Sequence, residues 1–156
     1  MKEFENKVAV ITGGANGIGR CIAEEFRKNG AIVCVIDTVE GDHFTGDIGD
    51  KATLEKFAEQ VISEYGRVDY LINNAPPMMK GISDCTYEEF SYALSVGVTA
   101  AFYLSKLFMP YFGEGASIIN ISSSRDLKYS TALWNNGCSR VSSSMFLKRF
   151  SSKRSV

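Results

Sequence analysis

Short apolar runs alternate along this chain with segments in which apolar side chains recur every three or four positions. Val8-Ala9-Val10-Ile11 ends in Thr12-Gly13-Gly14. A run with no polar alternation suits a strand buried on both faces, as in a parallel sheet. From Gly17 to Asn29, Ile18, Cys21, Ile22 and Phe26 fall at helical spacing opposite Glu24, Glu25, Arg27 and Lys28, and Gly30 stops the helix. Ala31 to Ile36 reads as a second buried strand, followed by a short one. Asp50 caps a helix carrying Leu54, Phe57, Ala58, Val61 and Ile62, which ends before Gly66. Val68 to Asn73 is the next strand. Thr86 to Phe112 is a long apolar helical region with bends expected at Gly97 and Pro110, and Ala116 to Ile121 is a further strand.

Helical crossovers between buried strands imply right-handed βαβ units and an α/β, doubly wound parallel sheet with helices on both faces. In that architecture ligands bind at the carboxyl ends of the strands, beside the point where the strand order reverses. Attention therefore falls on the turns after the first, second and fourth strands.

The turn after the first strand is Thr12-Gly13-Gly14-Ala15-Asn16-Gly17-Ile18-Gly19. Its glycines allow a tight turn and close backbone approach, and the following helix start offers unpaired N–H groups to a pyrophosphate. A strand before it, a helix after it and an acid further on make the pattern specific. That acid is Asp37, eighteen residues beyond Gly19, placed to accept hydrogen bonds from both hydroxyls of an adenosine ribose and to repel a 2′-phosphate. Ala15, Asn16 and Thr38 supply no cation for such a phosphate, so NAD(H) is expected over NADP(H).

Composition narrows the class. With 156 residues, 45% hydrophobic content and 3 prolines, the chain suits one soluble globular domain with a sizeable core. A net charge of -1 gives no general attraction to nucleic acid. The N-terminus carries no apolar secretory segment, and no membrane-spanning stretch is read, so a cytoplasmic location is expected. Cys21, Cys34, Cys85 and Cys138 are scattered and His43 is the only histidine, so neither a metal site nor a disulfide frame is expected.

On these motifs the chain resembles the short-chain dehydrogenases/reductases. Thr12 to Gly19 matches the family's Thr-Gly-x-x-x-Gly-x-Gly signature, and Gly13, Asn16, Gly17, Ile18 and Gly19 are its candidate cofactor contacts. Asp47-Ile48 looks like the family's Asp-hydrophobic pair beside the adenine. Asn73-Asn74-Ala75 looks like its Asn-Asn-Ala-Gly segment, which adds Asn74 and Ala75, although Pro76 stands where glycine is usual. Ile119-Asn120-Ile121-Ser122-Ser123 resembles the fifth strand, and Ser123 matches the catalytic serine, with Ser122 and Ser124 as near alternatives. The resemblance spans roughly residues 5 to 126. It implies a Rossmann-like sheet of five strands in the order 3-2-1-4-5, without the family's C-terminal strands. It further implies an NAD-dependent oxidoreductase moving hydride between nicotinamide and a small-molecule carbonyl or alcohol, and homo-oligomers paired through the Thr86 to Phe112 helix.

The family's chemistry also needs a tyrosine to exchange the substrate proton and a lysine four residues later, because a phenol with a pKa of about 10 is a poor base near neutrality without a cation beside it. Those positions fall on Asn136 and Arg140. An amide exchanges no proton near pH 7, and the guanidinium has no phenol to activate. None of the tyrosines at 65, 70, 87, 92, 103, 111 and 129 has a lysine four residues on. The relay asparagine of the long helix is replaced by Gly97. Impaired catalysis is therefore expected.

Charge divides the chain at the same point as the motifs. Residues 1–126 hold 11 basic and 18 acidic side chains, whereas 127–156 hold six basic, none acidic, and eight serines. The expected organisation is a dinucleotide-binding domain over 1–126 and a basic, Ser-rich tail over 127–156. A displaced reading frame after Asp126 would produce such a change and would leave the last strand as an exposed, aggregation-prone edge. A second reading makes the tail functional: Trp134, Cys138, Val141 and Met145 share a helical face beside Lys148, Arg149, Lys153 and Arg154, which suits an acidic partner or membrane surface.

Overall fold

The computed structural model describes residues 3–77, 80–81 and 83–122. Ser123, Asn136, Arg140 and the whole 127–156 stretch lie outside the described residues.

Five parallel strands form one sheet in the order β3-β2-β1-β4-β5, the expected order. Along the chain they are β1 (Val8–Thr12), β2 (Ile32–Asp37), β3 (Phe44–Thr45), β4 (Val68–Asn73) and β5 (Phe112–Asn120). The crossovers are α1 (Gly17–Lys28) and α2 (Lys51–Tyr65), followed by α3 (Tyr87–Leu94), a π-helical segment (Ser95–Thr99) and α4 (Ala100–Phe108).

Each central strand has apolar side chains on both faces, so its period-two geometry feeds two cores. Val8, Val10, Ile36 and Leu71 pack with Leu54, Phe57 and Val61 of α2 and with Leu104 and Phe108 of α4. Ala9, Ile11, Val35 and Ile72 point the other way and pack with Ala23 of α1. Phe4, Phe26 and Tyr70 extend this second core, with ring centroids 4.7–5.5 Å apart. Asp50 caps α2 by accepting from the Thr53 N–H at 2.8 Å, and Gly66 closes that helix in the left-handed conformation, as its spacing predicts.

Three details correct the sequence reading and one refines it. Ile18 and Cys21 are exposed, because α1 meets the sheet through Gly19 and Ala23, with Ile22 and Phe26 at the flanks. The region from Thr86 is one continuous helical run to Tyr111, as read, and its irregularities fall at the expected places: around Gly97 the hydrogen bonding takes the wider π register, and a 3₁₀ turn through Pro110 ends it. Phe112 already belongs to β5, whose ladder is interrupted after Phe112 and resumes at Ser117, which is why only the regular part was legible. Finally, Tyr87–Tyr111 is by length and composition apolar enough to cross a membrane, contrary to expectation. Here Ala100, Leu104 and Phe108 use that apolarity to pack on the sheet.

Candidate dinucleotide-binding site

The carboxyl ends of β1, β2 and β4 converge on the glycine turn. Gly13 sits at φ +68°, where an L side chain is strained, and a Cβ there would come within 2.7 Å of the Ala75 Cα. At Gly19, buried on the first turn of α1, a Cβ would overlap the Gly13 carbonyl oxygen and the Asn74 amide. The cradle is thus shaped by hydrogen atoms where other residues carry carbon. Asn16 is the N-cap of α1 and makes no side-chain capping bond among the described residues, so the first helical N–H groups remain available to an anion.

Asn74 braces this turn. Its Nδ2 donates to the carbonyls of Gly13 (2.8 Å) and Thr12 (3.1 Å), while its backbone N–H and that of Ala75 donate to the Thr12 hydroxyl at 3.0 and 3.1 Å. The side chain of Asn74 therefore acts through the loop.

Asp37 closes β2 at the mouth of the same turn. One carboxylate oxygen accepts from the Ala15 N–H at 2.9 Å and the other from the Val39 N–H at 3.1 Å. The acid expected for the ribose is thus fixed against the phosphate turn, with its remaining lone pairs available. Gly13 N–H donates to the Ile36 carbonyl at 2.9 Å, which ties the two strand ends together.

The Asp47-Ile48 pair follows β3 and precedes α2. Ile48 is buried in the core under α2 and α4. Asp47 accepts from the Gly49 N–H and from the Tyr92 hydroxyl of α3, both at 2.7 Å. Burial, and then the bond to Asp47, push the Tyr92 phenol up to about 12, so Tyr92 stays a proton donor toward Asp47. Sequence reasoning passed over Tyr92, because the contact spans 45 positions and no local spacing announces it.

The fifth strand brings Asn120 beside Asn73, whose Nδ2 donates to the Asn120 Oδ1 at 2.9 Å, and the Ile121 N–H donates to the Asn73 carbonyl at 3.0 Å. The neighbouring position, Ser123, is outside the described residues. Among the described residues no three His, Cys, Asp or Glu side chains gather in a way that could hold a metal ion.

A doubly wound parallel sheet with a glycine cradle at its first crossover and an acid at the end of its second strand defines a Rossmann-type dinucleotide fold. Comparison with known proteins places it further. The short chain dehydrogenase family model matches residues 7–153, and the chain belongs to that family, whose members are oxidoreductases. The match runs on past Asp126, so the change in composition there does not mark the end of the family likeness.

An uncharacterised oxidoreductase of Bacillus subtilis is 29% identical over 150 residues, covering 84% of this chain and 52% of its own length. The solved structure of an apo SCOR enzyme from Clostridium thermocellum superposes with a TM-score of 0.82 at 35% identity, over 88% of this chain and 62% of that one. A short chain dehydrogenase from Burkholderia cenocepacia, solved in complex with NADP, gives the same TM-score at 23% identity over 89% and 64%, a likeness of fold. The chain spans about half the length of the curated relatives it matches.

Proposed function

We propose that this chain binds a nicotinamide dinucleotide, with NAD(H) preferred, in the crevice formed by Gly13, Asn16, Gly17, Ile18 and Gly19, by Asp37, by Asp47 and Ile48, and by Asn74 and Ala75. The carrying observation is the Asp37 carboxylate held against the Ala15 N–H at 2.9 Å. A fixed negative charge at that point accepts ribose hydroxyls and opposes a 2′-phosphate. When bound, the cofactor supplies a hydride acceptor or donor for a small-molecule carbonyl or alcohol.

In this reading Ser123 orients the substrate oxygen, while the proton transfer that accompanies hydride movement is crippled. Asn136 and Arg140 stand where tyrosine and lysine would be, and an amide is no acid or base near neutrality. Binding with little or no turnover follows. The protein acts in the cytoplasm, with no nucleic-acid or membrane partner, and copies associate through the Tyr87–Tyr111 face, where Tyr87, Phe102 and Met109 are exposed.

The test titrates the full chain with NADH by fluorescence and then measures turnover against a panel of carbonyls and alcohols. Saturable binding with negligible turnover is expected. Failure to bind NADH refutes the cofactor assignment, and turnover at ordinary family rates refutes the impairment.

A further inference from the structure

Backbone contacts place Asp47 at the mouth of the proposed crevice. Thr45 of β3 lies opposite Asp37 in the sheet, and the Gly46 N–H donates to the Asp37 carbonyl at 2.8 Å. Asp47 therefore leaves the sheet beside the acid whose carboxylate accepts from Ala15 of the glycine turn. On its other side, Ile48 shares a small cavity with Thr12, Ala75 and Pro77 at the ends of β1 and β4.

The Asp47 carboxylate is fixed by two groups that also touch each other. Its Oδ1 accepts from the Gly49 N–H and its Oδ2 from the Tyr92 hydroxyl, both at 2.7 Å. The Tyr92 ring lies against Gly49, where a Cβ would come within 2.7 Å of the ring's Cε2. Tyr92 is in turn held by α3, which opens with the Thr86–Glu89 capping box and buries Ala93, the next residue. A carboxylate offers about four acceptor positions and donates nothing. Two are taken, so whatever Asp47 recognises through the other two must be a donor. Next to the adenosine ribose of a dinucleotide, the base carries such a donor in its exocyclic amine.

We propose that Tyr92 is a positioning residue for adenine: by donating to Oδ2 it sets the Asp47 carboxylate so that the remaining lone pairs accept the adenine amine. The inference rests on the dinucleotide reading above and adds base selection to it. A purine with an oxo group in place of the amine, such as hypoxanthine, turns an acceptor toward an acceptor and is disfavoured. Tyr92 acts through Asp47 and takes no part in hydride or proton transfer.

Fluorescence titration of the full chain with NADH and with its reduced hypoxanthine analogue tests the proposal. The unaltered chain is expected to bind NADH about tenfold or more tightly than the analogue. Tyr92→Phe keeps the ring on Gly49 and removes only the hydroxyl. It weakens NADH binding by about three- to tenfold and analogue binding by less than about twofold, while melting within about 5 °C of the unaltered chain. In an Asp47→Ala background the same substitution changes NADH affinity by less than about twofold, because no carboxylate remains to be oriented. Equal weakening of both dinucleotides by Tyr92→Phe, no weakening of either, or additive losses in the double variant overturns the proposal and leaves the cofactor reading standing. Equal affinity of the unaltered chain for NADH and the analogue overturns it without any variant. If the unaltered chain binds no NADH, the cofactor reading fails and this inference falls with it.

Discussion

Replacing Asp37 by alanine isolates the charge on which the proposed preference for NAD(H) rests. A carboxylate offers about four acceptor positions. Two are occupied by the Ala15 and Val39 N–H groups, which leaves two for the 2′- and 3′-hydroxyls of a ribose. Hydrogen bonds to a charged acceptor contribute about 1.5–3 kcal/mol each. Because Asp37 is only half-buried, water recovers part of that in the free protein, and a net loss of about 2–4 kcal/mol remains, or roughly 30- to 1,000-fold in Kd for NADH. The same substitution removes a negative charge that faces the extra phosphate of NADPH, so affinity for NADPH holds or rises and the preference between the two narrows by about tenfold or more. Fluorescence titration of both dinucleotides against both proteins measures each effect, with the melting temperature of the ligand-free variant as the control for folding. Equal NADH dissociation constants in a variant that melts normally would refute the assignment of Asp37 to the ribose.

Three other outcomes follow from named contacts. Asp69 is 2% exposed at the opposite end of the sheet; burial works to raise its pKa, but the Val8 N–H (2.9 Å), Arg67 and Lys7 outweigh burial and hold the carboxyl below its ordinary value. Asp69→Ala leaves that N–H unpaired and costs about 2–3 kcal/mol, mostly from the backbone bond, since Lys7 and Arg67 are partly solvated. A depressed folded pKa stabilises above the unfolded value of about 3.9 and loses that contribution as pH falls through the folded value, so the gap between the urea midpoints of the two proteins narrows below roughly pH 4. Thr86→Ala breaks the capping box in which Thr86 accepts from the Glu89 N–H (3.2 Å) and Glu89 accepts from the Thr86 N–H (3.1 Å), with an expected loss of about 1 kcal/mol in thermal unfolding. Asn136→Tyr combined with Arg140→Lys leaves NADH affinity within about twofold, because the proposed phosphate cradle is the Gly13 to Gly19 turn, while turnover on the carbonyl panel rises by about tenfold or more; unchanged turnover would show that more than the proton donor is lacking.

The strands and the glycine turn were legible because each is written locally, whereas the strand order came only from the family resemblance. Val8 to Ile11 admits no polar residue, Asp50 and Gly66 bracket α2, and Thr12 to Gly19 carries its spacing within one turn. The misreadings share a cause, which is that tertiary contacts outweigh local pattern. Ile18 lies on the apolar stripe of α1 by spacing, yet Gly19 and Ala23 allow the helix so close to β1 and β2 that the contact face is narrower than the stripe. Phe112 follows an apolar helix without a polar break and was counted with it, although its backbone pairs with Val68. The role of Tyr92 was invisible for a related reason: it is defined by its bond to Asp47, 45 positions away in the chain.

Recognition and reaction draw on different kinds of group in this fold, and that separates their sensitivity to substitution. In the proposed reading phosphate recognition uses main-chain N–H groups at the start of α1, so its demands on side chains are mainly negative: no Cβ at Gly13 or Gly19, where Ala75, Asn74 and the Gly13 carbonyl occupy the space. The surrounding side chains support the backbone, with Asn74 and Thr12 bracing the turn and Asp37 holding Ala15. Proton transfer, in contrast, rests on one phenol whose pKa a neighbouring cation must lower. In the proposed reading asparagine at 136 removes that function, whereas the described contacts of the cradle lie between Thr12 and Ala75. The proposed binder with asparagine at 136 is therefore physically coherent, because among the described residues the cradle is braced from the ends of β1, β2 and β4.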